Sequence, residues 1–274
     1  MLPSFLLALR EGVEAALIIG VVLGILSKMD QGRLKPVVWW GVAVAALVSL
    51  IAAIVLEIIG AEFEGMGEQL FEGTTMLLAA GLLTWMIFWM QRRARSLKSE
   101  MEANVNQALL HTGKGALFGL AFVAVVREGL ELALYLVAAR MASSPLQTII
   151  GAFLGLAGAS LLGWVMFATS RRLNLSTFFR FTNLLLVVFA AGLVAHTFHE
   201  YTEAGLLPTL LNPVWNLSGV LSDESSVGQI LSTLFGYHSS PNLLLVIGYL
   251  GYIVLVGLGL RQGSRIESIK NQPA

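Results

Sequence analysis

The chain has 274 residues, of which 56% are hydrophobic and only 12% charged, with a mean hydropathy of +0.78. Soluble domains carry roughly 25% charged residues, so a soluble enzyme or a nucleic-acid-binding module is excluded and an all-α integral membrane protein is expected. Cysteine is absent, which removes disulfides, thiolate metal sites and cysteine nucleophiles together, and a formal net charge of zero singles out no partner by bulk charge.

A spanning helix needs about 20 mainly apolar residues. The first candidate, Ser4–Ser27, is apolar except for Arg10-Glu11-Gly12-Val13-Glu14 in its middle. No basic region precedes it, so it is expected to be a retained span rather than a cleaved leader. Pro36–Leu56 and Gly73–Gln91 follow, each without Asp, Glu, Lys or Arg. The polar stretch Arg92–Lys114 is expected to be partly helical. The fourth candidate, Ala116–Ala139, repeats the charged pattern as Arg127-Glu128-Gly129-Leu130-Glu131. Ala142–Ser170, Phe181–His199 and Asn242–Leu260 complete seven spans. In the long connection before the last span, Val227, Ile230, Leu231, Leu234 and Phe235 recur at helical spacing, which predicts a short amphipathic helix.

Orientation follows from lysine and arginine, which accumulate on the cytoplasmic side. Alternate connections hold Lys28, Arg33 and Lys35; Arg92, Arg93, Arg95, Lys98 and Lys114; Arg171, Arg172 and Arg180; and Arg261, Arg265 and Lys270. The opposite connections hold only Arg140. The N-terminus is therefore expected outside and the C-terminus in the cytoplasm. The outer side is acidic: Glu64, Glu68 and Glu72 are four apart, so a helical extension of the third span would put them on one face. Such a run is either a solvated membrane edge or a funnel that concentrates cations at an entrance.

The two charged motifs begin at Arg10 and Arg127, with three spans in each unit. An odd number of spans reverses direction, so an inverted-topology repeat is expected: 1–91 and 116–200, then an external loop 201–241 and a seventh helix 242–261, all in one membrane domain. Ala79-Ala80-Gly81-Leu82 and Ala190-Ala191-Gly192-Leu193 echo one another in the third span of each unit. Inverted repeats are common in transporters, with the site near the midplane.

Charges in a span are costly and usually functional. On a helix Arg10, Glu11 and Glu14 lie on or near one face, as do Arg127, Glu128 and Glu131. Gly12 and Gly129 would let the helices approach closely. Four carboxylates against two guanidinium groups leave a formal charge of −2, and carboxylates sharing a dry space cannot all stay ionised without cations. An all-oxygen set suits hard cations: Fe(III), Mn(II), Ca(II) or Mg(II), not Cu(I). Glu11, Glu14, Glu128 and Glu131 are the candidate ligands, with Arg10 and Arg127 in support. The competing reading is helix-gluing Arg10–Glu14 and Arg127–Glu131 pairs, which leaves Glu11 and Glu128 without a role; a proton relay is another. His196, His199, Glu200 and Glu203, at the outer end of the sixth span, are candidate entry residues with Glu64, Glu68 and Glu72. His111 and His238 fall in connections and suggest nothing further.

Two Arg-Glu-Gly-x-Glu motifs, in the first and fourth of seven spans, resemble the oxidase-dependent iron permeases, and the bacterial EfeU type most closely. The resemblance extends through Leu70-Phe71-Glu72-Gly73, Thr84-Trp85-Met86, Glu203-Ala204-Gly205-Leu206 and Phe235-Gly236-Tyr237. It implies high-affinity iron uptake across the cytoplasmic membrane. Iron would be the transported substrate and not a resident cofactor, and the chain would not be an enzyme. It also implies an external oxidase delivering Fe(III), with EfeO- and EfeB-like partners; Fe(II) remains open, as does oligomerisation. The rivals are a carrier of Mn(II) or another hard divalent ion, a seven-helix receptor, and a membrane oxidase. A retinal protein is excluded, because none of Lys28, Lys35, Lys98, Lys114 and Lys270 lies mid-span.

Overall fold

The structure, a computed structural model, describes residues 1–93, 114–141, 144–168, 175–223 and 225–270. The predicted helical part of Arg92–Lys114 therefore lies almost wholly outside the described residues, as does Glu224. Among the described residues the secondary structure is helical, with no strand. Long helices run over Leu2–Lys28 (α1), Lys35–Ala61 (α2), Met66–Arg93 (α3), Lys114–Met141 (α4), Pro145–Ala168 (α5), Leu175–Glu203 (α6) and Leu243–Lys270 (α8), and a short one over Ser226–Phe235 (α7).

Five helices are long and apolar enough to cross a membrane: the segments Gly32–Gly60, Met66–Trp89, Pro145–Met166, Thr177–Glu203 and Leu243–Arg261. The two others, α1 and α4, have 27 and 28 residues but carry the charged motifs near mid-length. The faces of α2 and α5 that point away from protein are apolar: Trp40, Leu50, Ile54, Ile149, Phe153 and Trp164 are all exposed. A water-facing surface would not carry such a belt, and the chain is an integral membrane protein.

The helices overshoot the apolar runs from which they are predicted. Lipid needs apolar side chains, whereas the backbone ladder continues as long as nothing breaks it. Thus α3 starts at Met66 rather than Gly73, which brings Glu68 and Glu72 onto the helix. Glu64 is left in the preceding turn, where Gly65 takes φ +57° and ends the regular path.

The chain divides into two compact units. The first comprises residues 1–62, 91–140 and 144–182 and so holds α1, α2, α4, α5 and the start of α6. In it α1 packs along α5 through small residues. A Cβ on Gly151 would strike the Met1 carbonyl oxygen, and one on Gly155 would come within 2.5 Å of the Phe5 carbonyl oxygen. A Cβ on Gly12 would lie 2.6 Å from the Ala159 Cβ. The pairing α2 with α4 uses the same devices. A Cβ on Gly41 would lie 2.8 Å from the Phe118 carbonyl oxygen and 3.2 Å from the Phe122 nitrogen, and one on Gly129 would collide with Ser49. Partner numbers rise together in each pair, so α1 runs parallel to α5 and α2 parallel to α4.

The second unit comprises residues 63–90, 141–143 and 183–274 and so holds α3, most of α6, α7 and α8. Buried Ala79 and Ala80 of α3 and Ala190 and Ala191 of α6 allow tight packing. Hydroxyl groups join the helices: Thr197 Oγ1 donates to the Gly73 carbonyl at 3.2 Å, Thr74 meets Tyr201 at 3.1 Å, and Thr84 meets Tyr252 at 2.6 Å. The amphipathic helix α7 stands where the spacing predicts one. Ser225 caps it by accepting from the Gly228 N–H at 3.0 Å. Gly236 ends it at φ +64°, with the Gly236 and Tyr237 N–H groups bonded to Ser232 and Leu231 carbonyls.

Candidate metal centre

Both motifs sit inside uninterrupted helices of the first unit. Arg10 and Glu11 are buried to 0% and 1% exposure, and Glu14 and Glu128 are buried as well. A charge in such a place must find an opposite charge. Arg10 serves both its neighbours: Nη1 lies 3.3 Å from Glu11 Oε1 and Nη2 3.3 Å from Glu14 Oε1. Arg127 repeats this, with Nη2 2.8 Å from Glu128 Oε1 and Nε 3.4 Å from Glu131 Oε1. Two features separate the copies. Arg127 keeps 43% of its side chain exposed where Arg10 keeps none. The Arg127–Glu128 pair is close but not aligned as a hydrogen bond.

The pairing of each arginine with both glutamates of its motif uses only part of the oxygen supply. Glu11 Oε2, Glu128 Oε2 and Glu131 Oε2 are buried and meet no hydrogen-bond donor. Glu11, Glu128 and Glu131 also form the one group, among the described residues, whose carboxylate oxygens lie within 4.8 Å of one another. Glu14 is not in that trio; it stands beside it, held by Arg10. Three carboxylates at this spacing repel strongly, and a multivalent cation among them would relieve both the repulsion and the missing hydrogen bonds.

Tyr135 is a member of this site that the sequence reading misses. It is fully buried and within electrostatic reach of Glu11, Glu131, Arg10 and Glu14. Its signal is its position, four residues after Glu131 and so on the same helix face. Ser49 is another, pressed against Gly129 of the motif while its hydroxyl donates to the Ala45 carbonyl at 2.9 Å.

The second unit gathers most of the candidate entry residues. Glu200 lies within electrostatic reach of Glu72, Glu203 and Glu68. Glu203 Oε1 lies 3.2 Å from His199 Nε2, and its other oxygen accepts from Gln69 at 3.5 Å. His196 Nδ1 lies 2.9 Å from the Gly192 carbonyl oxygen. Glu64 is exposed and lies in the turn before α3. His238, dismissed on sequence as a loop residue, joins the histidines: its ring centroid is 4.8 Å from His196 and 5.7 Å from His199. Burial, with His199 beside it, lowers the pKa of its imidazole.

The iron permease FTR1 family model matches residues 1–264. The ferrous iron permease EfeU of Escherichia coli O6:H1 (strain CFT073) is 37% identical over 257 residues, which cover 93% of each chain. The protein of the same name in Yersinia pestis is 36% identical over 257 residues, 93% of this chain and 91% of its own. No solved structure matches the chain.

Proposed function

The chain belongs to the iron permease FTR1 family, and from that premise we propose that iron crosses the cytoplasmic membrane through a site built on Glu11, Glu128 and Glu131. The observation that carries this is the convergence of three carboxylates, two buried and one half-buried, within 4.8 Å of one another. Glu14 is the fourth glutamate of the site, released from Arg10 as the ion moves. Arg10 and Arg127 hold the carboxylates in place and limit their mutual repulsion when no ion is bound. Tyr135 supplies a hydroxyl at the edge of the site.

The proposed frame is seven spans, with the N-terminus outside and the C-terminus in the cytoplasm. In it α1 and α5 are both odd-numbered spans and α2 and α4 both even, which agrees with the parallel sense of each pair. The inverted repeat has support at atomic detail. Gly41 meets the Phe118 carbonyl and the Phe122 nitrogen; Gly151 meets the Met1 carbonyl and the Phe5 nitrogen. The two glycines are 110 positions apart and their partners 117, the same offset as the two motifs. Gly129 against Ser49 and Gly12 against Ala159 obey the same two offsets. Each compact unit also takes matching members of the two repeats: the first and second helices of each in one, and the third of each in the other. Alternating access would then work between the two inverted repeats, 1–91 and 116–200.

Glu68, Glu72, Glu200 and Glu203 form the acidic entrance. External partners of the EfeO and EfeB kind would present iron there. Two observations bear on its oxidation state. An all-oxygen site suits the hard Fe(III) that an oxidase would deliver, whereas the E. coli and Y. pestis relatives bear the name ferrous iron permease. Whole-cell uptake with excess Mn(II) or Ca(II) tests the ion. Iron uptake that persists against these competitors and is lost in Glu11→Ala and Glu128→Ala supports the assignment. Iron uptake abolished by equimolar Mn(II) would instead make this a carrier of hard divalent ions.

A further inference from the structure

The histidines of the second unit are brought together by a backbone device. Gly192 on α6 has no side chain, and Gly236, at the C-terminal end of α7, packs directly on it; a Cβ on Gly236 would lie 2.6 Å from the Gly192 Cα. This contact fixes where the chain goes next. Two residues on, His238 is laid across His196, one helical turn after Gly192, and across His199. The segment is tied from the other side too. The Tyr237 hydroxyl donates to the Leu221 carbonyl at 2.9 Å, and Asp223 accepts from the Ser239 N–H and hydroxyl at 2.8 and 2.7 Å.

Two of the three rings have one nitrogen engaged, as metal-binding imidazoles require. His196 Nδ1 donates to the Gly192 carbonyl, a bond that assigns the remaining lone pair to Nε2 when the ring is neutral. His199 Nε2 faces Glu203, itself held by Gln69. His238 Nδ1 is buried without an aligned hydrogen-bond partner. We infer that His196, His199 and His238 form a second site for a divalent transition-metal ion, ligated by nitrogen and distinct in chemistry from the glutamate trio. Imidazole suits Fe(II), Co(II) or Zn(II) better than Ca(II) or Mg(II). The site would therefore favour borderline ions over hard ones. The rings meet edge to face and their nitrogens have not converged as the carboxylates have. Closure on an ion needs a side-chain rotation of His238, the one member on a non-helical segment. That the passing ion is iron rests on the transport reading; the nitrogen ligation does not.

The test is X-ray absorption of the full chain loaded anaerobically with Co(II), purified through a tag without histidine. The scattering pattern of imidazole reports histidine ligands whatever happens at the glutamates. The wild type and Glu11→Gln/Glu128→Gln are both expected to show it, the variant with less bound Co(II). His196→Gln/His238→Gln is expected to lose the pattern, and Glu203→Gln to weaken Co(II) binding at this site by about 10–100-fold. Absence of imidazole scattering in the wild type, or its survival in His196→Gln/His238→Gln, would overturn the assignment; the wild-type spectrum decides even where that variant does not fold. Retained imidazole scattering with unchanged Co(II) content in Glu11→Gln/Glu128→Gln would leave the histidine site standing and remove the glutamate trio.

Discussion

Arg10 and Arg127 hold the same place in the two motifs, yet one is wholly buried and the other 43% exposed. Removing one partner of a buried ion pair costs about 3–5 kcal/mol, because a charge is left stranded; the Arg127 pairs are open on the arginine's side, which screens them and lowers the cost. Arg10→Gln is therefore expected to lower the unfolding temperature of the detergent-purified protein clearly more than Arg127→Gln; equal effects would mean that the two pairs are equally screened. The glutamates behave in the opposite way. Glu128→Gln relieves repulsion among carboxylates, so it should leave stability unchanged or raised while iron uptake falls at least about tenfold, the effect of losing about 1.4 kcal/mol of ion binding. A helix-gluing role would give the reverse, lower stability with uptake intact. The motif glutamates and arginines are legible in sequence because charges in an apolar run have few explanations. Tyr135 and His238 are not. A tyrosine in an apolar helix looks like ordinary core, and His238 owes its place to a glycine contact 46 residues upstream, at Gly192.

The helices themselves were foreseeable, since long apolar runs in a membrane have little else to become. Their ends were not, because the backbone ladder outlasts the apolar run, as at Met66 of α3. Packing was only half visible. Gly12 and Gly129 stand out in the motifs, but Gly41 does not, and the matched partners come only from the geometry. Gly151→Ala would drive a methyl into the backbone carbonyl of Met1, which cannot move aside cheaply, and Gly41→Ala into that of Phe118. Both are expected to destabilise by about 1–3 kcal/mol, and by similar amounts if the two pairs are repeats of one design. Gly129→Ala meets only the side chain of Ser49, so Ser49→Gly in the same chain should restore most of its loss. Thermal unfolding of the four variants checks this; a harmless Gly151→Ala would contradict the packing of α1 on α5.

For the whole molecule, the proposed orientation rests on the alternation of basic and acidic connections. The absence of cysteine makes it directly testable, since single cysteines need no background removed. Val220→Cys, in the connection after α6 and 88% exposed, should react with an impermeant maleimide in intact spheroplasts. Gln31→Cys, exposed between α1 and α2, should react only after permeabilisation. The opposite pattern would invert the topology, and with it the side from which iron enters.

The most direct test is uptake of radioactive iron into proteoliposomes containing only this chain, with Fe(II) under reductant and chelated Fe(III) side by side. Accumulation of one form, lost in Glu11→Gln/Glu128→Gln while that variant remains folded in the bilayer, is the expected result. Equal accumulation by wild type and variant would contradict transport through the glutamate trio.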